Sequence, residues 1–547
     1  MPLSSEIKRT FLSPVRVMWH TPNVRDAELL LRPGLGQALH LASPPPSCCM
    51  DSREGVASLL VDFGQELFGG LQFVTNRTRP DKAPVKVRVR LGESVSEAMG
   101  QPNNDHGVND EVISLPWLGV TEFGKTGFRF ARLDVEDPRA CLDLCELRAY
   151  TYGRDLAFRG TFECSDEKIN RIWAAATRSV YLNMQEYLWD GIKRDRLVWM
   201  GDMHPEIRVI SAVFGEADIV PNSLDLLRDL TPLPEFFNRI PSYSMWWVLA
   251  QHHWYLWHGN MDYLRQQESY LRDLLKVFEG YIDETGGETL PEQRFIDWLS
   301  VGDDAAVHVG LQSLLVMTLS AGADLLRTLG DAQAAEHYAS LCRPIQAYVP
   351  PATMNKPVNA LRVLAGCGDA VEVNRDVLSH SPLEGLSTFY GYYVLLARAA
   401  AGDYAGCFEL LRKYWGGMLD LGATTFWEHF DVGWLNNAGR IDELRDEKSV
   451  DVHDAYGKQG NGRQRNSFCH GWAGGPTAWL SEYVLGVSPA SPGCRTVHIR
   501  PNLVDLKWAK GTIPAPVGEI EVSLSRNADG TTAVKTVLPD GVRQADD

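Results

Sequence analysis

Hydrophobic and polar positions change rhythm twice along this chain. Up to about residue 155 the period is two. Val85, Val87, Val89 and Leu91 alternate with Lys86, Arg88 and Arg90, the pattern of a half-buried strand. Residues 56–75 form a second β region, interrupted at Gly64 and at Gly69-Gly70, where turns or bulges are expected. Residues 128–133 and 147–151 add strands, and the proline run at 43–47 is a loop. Short strands punctuated by turns at this length predict a β-sandwich.

From Ser165 the period becomes helical. Ser165-Asp166-Glu167 reads as an N-cap with acids in the first turn, and Ile169, Ile172 and Trp173 follow at helical spacing. Apolar helices are predicted over 311–329 and 332–346, separated by Gly330-Asp331. The arrangement repeats over 388–400 and 404–414 around Gly402-Asp403, and 478–485 closes the region. Helix–turn–helix pairs over roughly 320 residues leave room for about twelve helices of ordinary length. Their natural closed packing is an (α/α)6 barrel. The last sixty or so residues return to period two at Val497 and Ile499 and again at Ile520, Val522 and Leu524, with a turn over 511–518 and a frayed end over 543–547. The fold class is therefore multidomain β + α: an N-terminal β-sandwich (1–155), an (α/α)6-barrel catalytic domain (156–487) and a C-terminal β-sandwich (488–547).

Composition narrows the function. A formal net charge of −17 leaves no basic excess to neutralise phosphates, which argues against a nucleic-acid partner. No signal-peptide-like stretch opens the chain, and no apolar run is read as a membrane span, so a soluble cytoplasmic protein is expected. The ten cysteines, with Cys48-Cys49 adjacent and Cys141 and Cys145 four apart, fit free thiols better than a disulfide framework or a zinc site. Sixteen tryptophans suit either a sugar site or a large helical core.

The densest candidate chemistry lies in Asp190–Asp202. It holds Asp190, Arg194, Asp195, Arg196, Trp199 and Asp202, and His204 and Glu206 follow. A sugar-cleaving site needs acids for proton transfer, an arginine to position hydroxyls and an apolar face for the ring. The plainer reading is a solvated helix face with Asp190 and Arg194 paired at i,i+4. A second constellation places Glu428 among Phe426, Trp427 and Phe430, where burial tunes a carboxylate. Its plainer reading is an interior glutamate paired to an arginine. His470 in the segment 466–472, Asp297-Trp298 behind Phe295, and Tyr243, Trp246 and Trp247 on a helix opened by Pro241 complete the set. A core histidine and core aromatic stripes are the commoner alternatives for these. Zinc-protease spacing is missing around His252, His253 and His258. Gly34-Leu-Gly36 lacks a third glycine, and neither a phosphate-cradling loop nor a nucleophile elbow is found.

In these segments the chain resembles the bacterial α-L-rhamnosidases, glycoside hydrolase family 78. Asp190–Asp202 is similar to that family's signature of Asp, Arg, general acid and a Trp-x-Gly-Asp ending. Residues 422–428 resemble its Thr-Thr-x-Trp-Glu segment, 466–470 its sugar-contact histidine segment, and 511–520 its C-terminal Gly-Thr-x-Pro-x-Pro-x-Gly turn. The resemblance implies an exo-acting, inverting α-L-rhamnosidase that releases terminal rhamnose from oligosaccharides or glycosides. It implies Asp195 as general acid and Glu428 as general base. Asp190, Arg194, Asp202 and His470 would hold hydroxyls, with Trp199, Trp247 and Trp298 as further substrate contacts. Neither a cofactor nor a metal is expected. The partner is a rhamnose-containing glycan, without nucleic acid or membrane, and a homodimer is the oligomeric expectation. Two readings stand beside it: a barrel glycosidase acting on another sugar such as a uronic acid, and an inactive rhamnose-binding relative. Departures from the family pattern are Asp195 where many members carry Glu, and Gly191-Ile192-Lys193 where many carry Cys-Pro-Gln.

Overall fold

A computed structural model describes residues 7–546, apart from 81, 101–108, 292, 447 and 456–463. Nine antiparallel strands at the N-terminal end form one hydrogen-bonded sheet. Its spine is the strand Ala57–Arg79, which pairs with Val120–Val135 along its length. Its first part also pairs with Arg16–His20, and its second part with Cys141–Arg154. The register slips between Asp62 and Leu67 and again between Gly69 and Leu71, as the glycines predict. A Cβ at Gly69 (φ 159°) would lie 1.9 Å from the Tyr150 carbonyl oxygen, so that close approach admits glycine alone.

The spine is buried on both faces. Leu59, Val61, Leu67, Leu71 and Phe73 point into a core that also takes Val85, Val87 and Val89. Phe68, of opposite parity, points towards the helical region and packs with Leu182, Ile192 and Cys469. Period two therefore carries a second buried face here, and that face seats the sheet against the loops of the candidate site.

The helical region is a closed ring of six hairpins among the described residues. The inner helices are Met200–Val213, Pro241–His258, Asp304–Thr328, Lys356–Leu364, Gly391–Ala400 and Gly475–Trp479. Each packs on the next, and the last packs on the first. Outside them lie Glu167–Asn183, Ile219–Leu230, Met261–Glu279, Ala332–Ala347, Ala370–Val373 and Tyr404–Leu410. Caps set the starts. The Asp166 carboxylate accepts from the Lys168 and Ile169 amides, Asp303 from Ala306, Asp331 from Ala334 and Asp403 from Gly406. The outer helix Met261–Glu279 buries one stripe (Leu264, Leu271, Leu274, Leu275, Phe278), whereas inner helices are buried nearly all round. Asp304–Thr328 corrects the expectation that no run is long enough for a membrane. By length and composition it is, but 83% of its most apolar stretch is buried inside the ring.

After the ring come a four-stranded sheet and a three-stranded sheet. The four-stranded sheet takes its edge from Thr161–Cys164, ahead of the first helix, which pairs with Trp508–Ala515. The expected turn over 511–518 is smaller than predicted: Trp508–Ala515 and Gly518–Arg526 are strands, and only Pro516-Val517 turns. Pro514 is tolerated because Thr161–Cys164 covers only Ala509–Thr512, leaving Pro514 with a neighbour on one side. The end is not frayed at Arg543-Gln544, which pairs in parallel with Thr496-Val497.

Candidate active site

Asp190–Trp199 is a loop, not a helix face. It precedes the inner helix Met200–Val213, and Asp202 sits in that helix's first turn. The Leu197 amide donates to the Asp190 carboxylate at 2.9 Å, and the Asp190 amide donates to the Leu197 carbonyl at 3.1 Å. Between these bonds the chain turns tightly. The Arg196 amide donates to the Arg194 carbonyl at 2.7 Å, with Asp195 (φ 55°) and Arg196 (φ 53°) both left-handed. Two successive non-glycine residues in that region cost on the order of 1–3 kcal/mol each and persist only where the surroundings impose them.

Those surroundings are two further loops. The Gly471 amide donates to the Asp190 carbonyl at 2.8 Å, and Gly191 bridges to His470. The Glu428 amide donates to the Ser467 carbonyl at 2.8 Å, the His470 amide to Phe426 at 2.9 Å, and the Thr425 hydroxyl to the Phe468 carbonyl at 2.6 Å. Trp427 stacks on Phe468 with ring centres 4.3 Å apart. The N-terminal sheet braces all three loops. Gly127 donates to the Ile192 carbonyl at 3.0 Å, Glu66 to the Thr424 hydroxyl at 2.9 Å, and the Phe468 amide to the Glu93 carboxylate at 2.9 Å. The buried Lys193 ammonium lies 2.5 Å from Glu97.

The three loops enclose a cavity of about 310 Å3, lined by Asp190, Arg194, Asp195, Trp199, Asp202, Glu428 and His470, with Ile240, Tyr243, Phe295, Trp298, Arg465 and Trp472 completing the wall. That is the lower end of the range for small-ligand sites, about 300–1,000 Å3. One guanidinium links two of its carboxylates: Arg194 hydrogen-bonds Glu428, and its other terminal nitrogen lies 3.6 Å from Asp195. Their settings differ. The Glu428 side chain is 7% exposed and that of Asp195 is 37% exposed.

Charge follows from this geometry. Burial pushes Glu428 upward, but the Arg194 guanidinium, His470 and the Ser467 amide overcome it and hold the carboxyl below its ordinary value. Asp190 is pushed up to about 8 by burial and by the neighbouring Asp202 and Asp195, against the pull of His470. Burial also raises Asp202, whose carboxylate meets His470 Nε2 at 3.0 Å. His470 is itself raised, because that bond and the carboxylates of Glu428, Asp202 and Asp190 outweigh its burial. One turn along the same helix, Glu206 is wholly buried with neither oxygen hydrogen-bonded among the described residues, and burial, Asp202 and Asp190 drive its carboxyl well above its ordinary value. At neutral pH the cavity therefore presents an ionised Glu428 beside a protonated Asp190.

Arg196, His204, Glu206, Trp246 and Asp297, also singled out in the sequence, do not line this cavity. Of the nine residues to which the resemblance gives site roles, the one outside it is Trp247. It is fully buried, its indole N–H donates to the Leu224 carbonyl at 3.3 Å, and its ring packs against Phe237 and Tyr270 on the outer side of the ring. Trp298 is 42% exposed at the wall and meets Phe295 edge to face. Asp297 turns away into the fold, accepting from the Ser387 hydroxyl at 2.6 Å. Tyr243, Trp472 and Arg465 also line the wall. The Trp472 indole N–H donates to the Glu428 carbonyl at 2.9 Å and its ring stacks on Phe389, so it fixes the backbone of that loop. Arg465 carries no periodic or motif signal beyond preceding Asn466.

Comparison with known proteins agrees with the resemblance. Residues 157–352 match the bacterial alpha-L-rhamnosidase six-hairpin glycosidase domain, and 486–545 match the bacterial alpha-L-rhamnosidase C-terminal domain. A curated alpha-L-rhamnosidase of Alteromonas sp. (strain LOR) is 24% identical over 539 residues, covering 88% of this chain and 55% of the relative, so the chain spans about half that protein's length. The family 78 rhamnosidase of Bacillus sp. GL1 superposes with a TM-score of 0.73 at 21% identity, over 94% of this chain and 56% of its own. The Klebsiella oxytoca rhamnosidase with rhamnose bound gives 0.69 at 19%, over 87% and 96%. The Streptomyces avermitilis alpha-L-rhamnosidase complexed with L-rhamnose gives 0.71 at 18%, over 89% and 48%. At these identities the structural likeness establishes the fold.

Proposed function

We propose that this chain, which carries the six-hairpin glycosidase and C-terminal domains of the bacterial α-L-rhamnosidases, is an exo-acting α-L-rhamnosidase that inverts configuration. The observation that carries this reading is the pair of carboxylates held on one guanidinium in a small aromatic-walled cavity. Because Arg194 touches both, the Asp195 and Glu428 oxygens lie no more than roughly 8 Å apart. That bound is compatible with the ~6.5–9.5 Å an inverting pair needs to admit water.

Asp195, the more exposed of the two, acts on the leaving side. Its carboxylic acid protonates the glycosidic oxygen as the bond to the anomeric carbon breaks. Glu428, buried and ionised, takes a proton from the water that attacks from the opposite face. The product is β-L-rhamnose, and Asp195 regains its proton from solvent. Asp190 in its protonated form and the Asp202–His470 pair offer a donor and acceptors to the sugar hydroxyls, while Trp199 and Trp298 supply apolar faces to the ring. Rhamnose bound in two structural relatives supports the choice of sugar.

The expected result is that Asp195→Asn and Glu428→Gln each abolish hydrolysis of an aryl α-L-rhamnoside while keeping the circular dichroism and melting temperature of the parent. Near-parental turnover in either variant rejects the assignment.

A further inference from the structure

All ten cysteines are free, and two of them meet outside the cavity. Cys49 lies on the strand Cys48–Asp51 and Cys141 opens the strand Cys141–Arg154. Their register sets Cys49 opposite Asp143 and Asp51 opposite Cys141, so these four side chains share one face of the sheet. Cys48, Met50, Leu142 and Leu144, of the other parity, fill the core behind. On the shared face the two sulfurs stand 3.3 Å apart. Among the described residues no other two cysteine sulfurs lie within hydrogen-bonding reach.

The surroundings say what this pair can do. Together with Asp143 the sulfurs have the spacing of a three-ligand metal site. Two guanidinium groups occupy that neighbourhood, however. Arg25 donates to Cys49 Sγ at 3.1 Å, and Arg79 reaches Cys141 Sγ at 3.7 Å. Two fixed positive charges on the sulfurs oppose a cation. Cys141 is buried and Cys49 half-buried, so only Cys49 is open to a reagent, with Cys141 directly behind it. Their shared hydrogen bond draws the Cys141 thiol down and pushes the Cys49 thiol up, with burial and Asp143 adding to that rise, so the proton of the pair rests on Cys49 and the thiolate on Cys141.

We propose that Cys49 and Cys141 are a redox pair that closes a disulfide across the N-terminal sheet when it meets a small-molecule disulfide. In that exchange Cys49 Sγ passes its proton to the Cys141 thiolate as it attacks one sulfur of the reagent, forming a mixed disulfide and releasing one thiolate, which takes up that proton from Cys141. The Cys141 thiolate then attacks Cys49 Sγ, forming the protein bond and expelling the second thiolate. Two electrons pass from the cysteines to the reagent; the Cys49 proton ends on the first released thiol, and the second takes its proton from solvent. Closing the sulfurs from 3.3 Å to bonding distance takes a shift of about 1.3 Å, within reach of side-chain rotation. The bond ties the short strand Cys48–Asp51, which otherwise carries only Val24-Arg25 on its far side, to the body of the sheet.

The test is incubation of the full chain with glutathione disulfide, followed by alkylation, intact mass and peptide mapping. Expected are a loss of about 2 Da, a Cys49–Cys141 cross-linked peptide, the other eight cysteines alkylated, and a melting temperature raised by roughly 3–8 °C and restored by dithiothreitol. Cys49→Ser should remove the cross-link and the temperature shift. Recovery of Cys49 and Cys141 as separate alkylated or glutathionylated peptides overturns the proposal. So does stoichiometric zinc binding that protects both thiols with no cross-link. The mass measurement on the parent chain decides the matter even if a serine variant fails to fold.

Discussion

Replacing Arg194 with methionine keeps most of the side-chain volume and removes the guanidinium that contacts both Asp195 and Glu428. Glu428 is buried, so its loss of a charged hydrogen-bond partner is not made good by solvent. Such bonds contribute about 1.5–3 kcal/mol, which corresponds to a fall of roughly ten- to a hundredfold in kcat/KM. The sign of the pH effect follows from what remains. Burial, the largest influence on Glu428, raises its pKa, and at present Arg194, His470 and the Ser467 amide overcome it. Without Arg194 the pull of His470, His429 and the amide opposes burial less strongly, so Glu428 holds its proton to higher pH and the acid limb of kcat/KM moves upward. The assay is hydrolysis of an aryl α-L-rhamnoside across pH 4–9 for the parent, Arg194→Met and Arg196→Met. Arg196 serves as control because it donates to the Lys125 carbonyl at 2.9 Å, outside the carboxylate pair. An Arg194→Met enzyme with an unmoved acid limb and less than a threefold loss refutes the reasoning.

Asp190 holds its proton below about 8 and ionises above it, placing a new negative charge beside Asp202. The KM for the same substrate should therefore rise as pH is raised through about 8 in the parent and stay flat in Asp190→Asn; an identical rise in the variant contradicts this. Gly471→Ala places a Cβ 1.4 Å from Glu206 Oε1, so that wholly buried side chain must shift. A cost on the order of 1–3 kcal/mol, read as a melting temperature lowered by several degrees, is expected. An unchanged melting temperature shows that the pocket has slack.

Local signals account for most of what the sequence disclosed. The breaks read at Gly330-Asp331 and Gly402-Asp403 and the helix start read at 165–167 are where Asp331, Asp403 and Asp166 cap helices, because an N-cap depends on two or three neighbouring residues. The loop at Asp190–Trp199 was ambiguous for the opposite reason. Its acidic and basic spacing suits a helix face equally well, and what unwinds it are bonds to Gly471, His470 and Gly127, distant in sequence and visible only after folding. Glu428 satisfied both of its readings, being paired to an arginine and exposed to the cavity at once. Trp247 failed because Pro241–His258 is an inner helix, buried almost all round, so no polar stripe tells which indole of a tandem faces inward. The C-terminal turn was overestimated because Pro514 and Gly511 read as turn residues, yet both sit in a strand where partners are missing or close.

The proposal of two carboxylates acting from opposite faces of one sugar is tested most directly by proton NMR of the parent chain hydrolysing an aryl α-L-rhamnoside, followed from the first minutes before mutarotation. β-L-rhamnose is expected to form first, and Glu428→Gln to yield none. First formation of α-L-rhamnose, or no rhamnose at all from the parent chain, contradicts it.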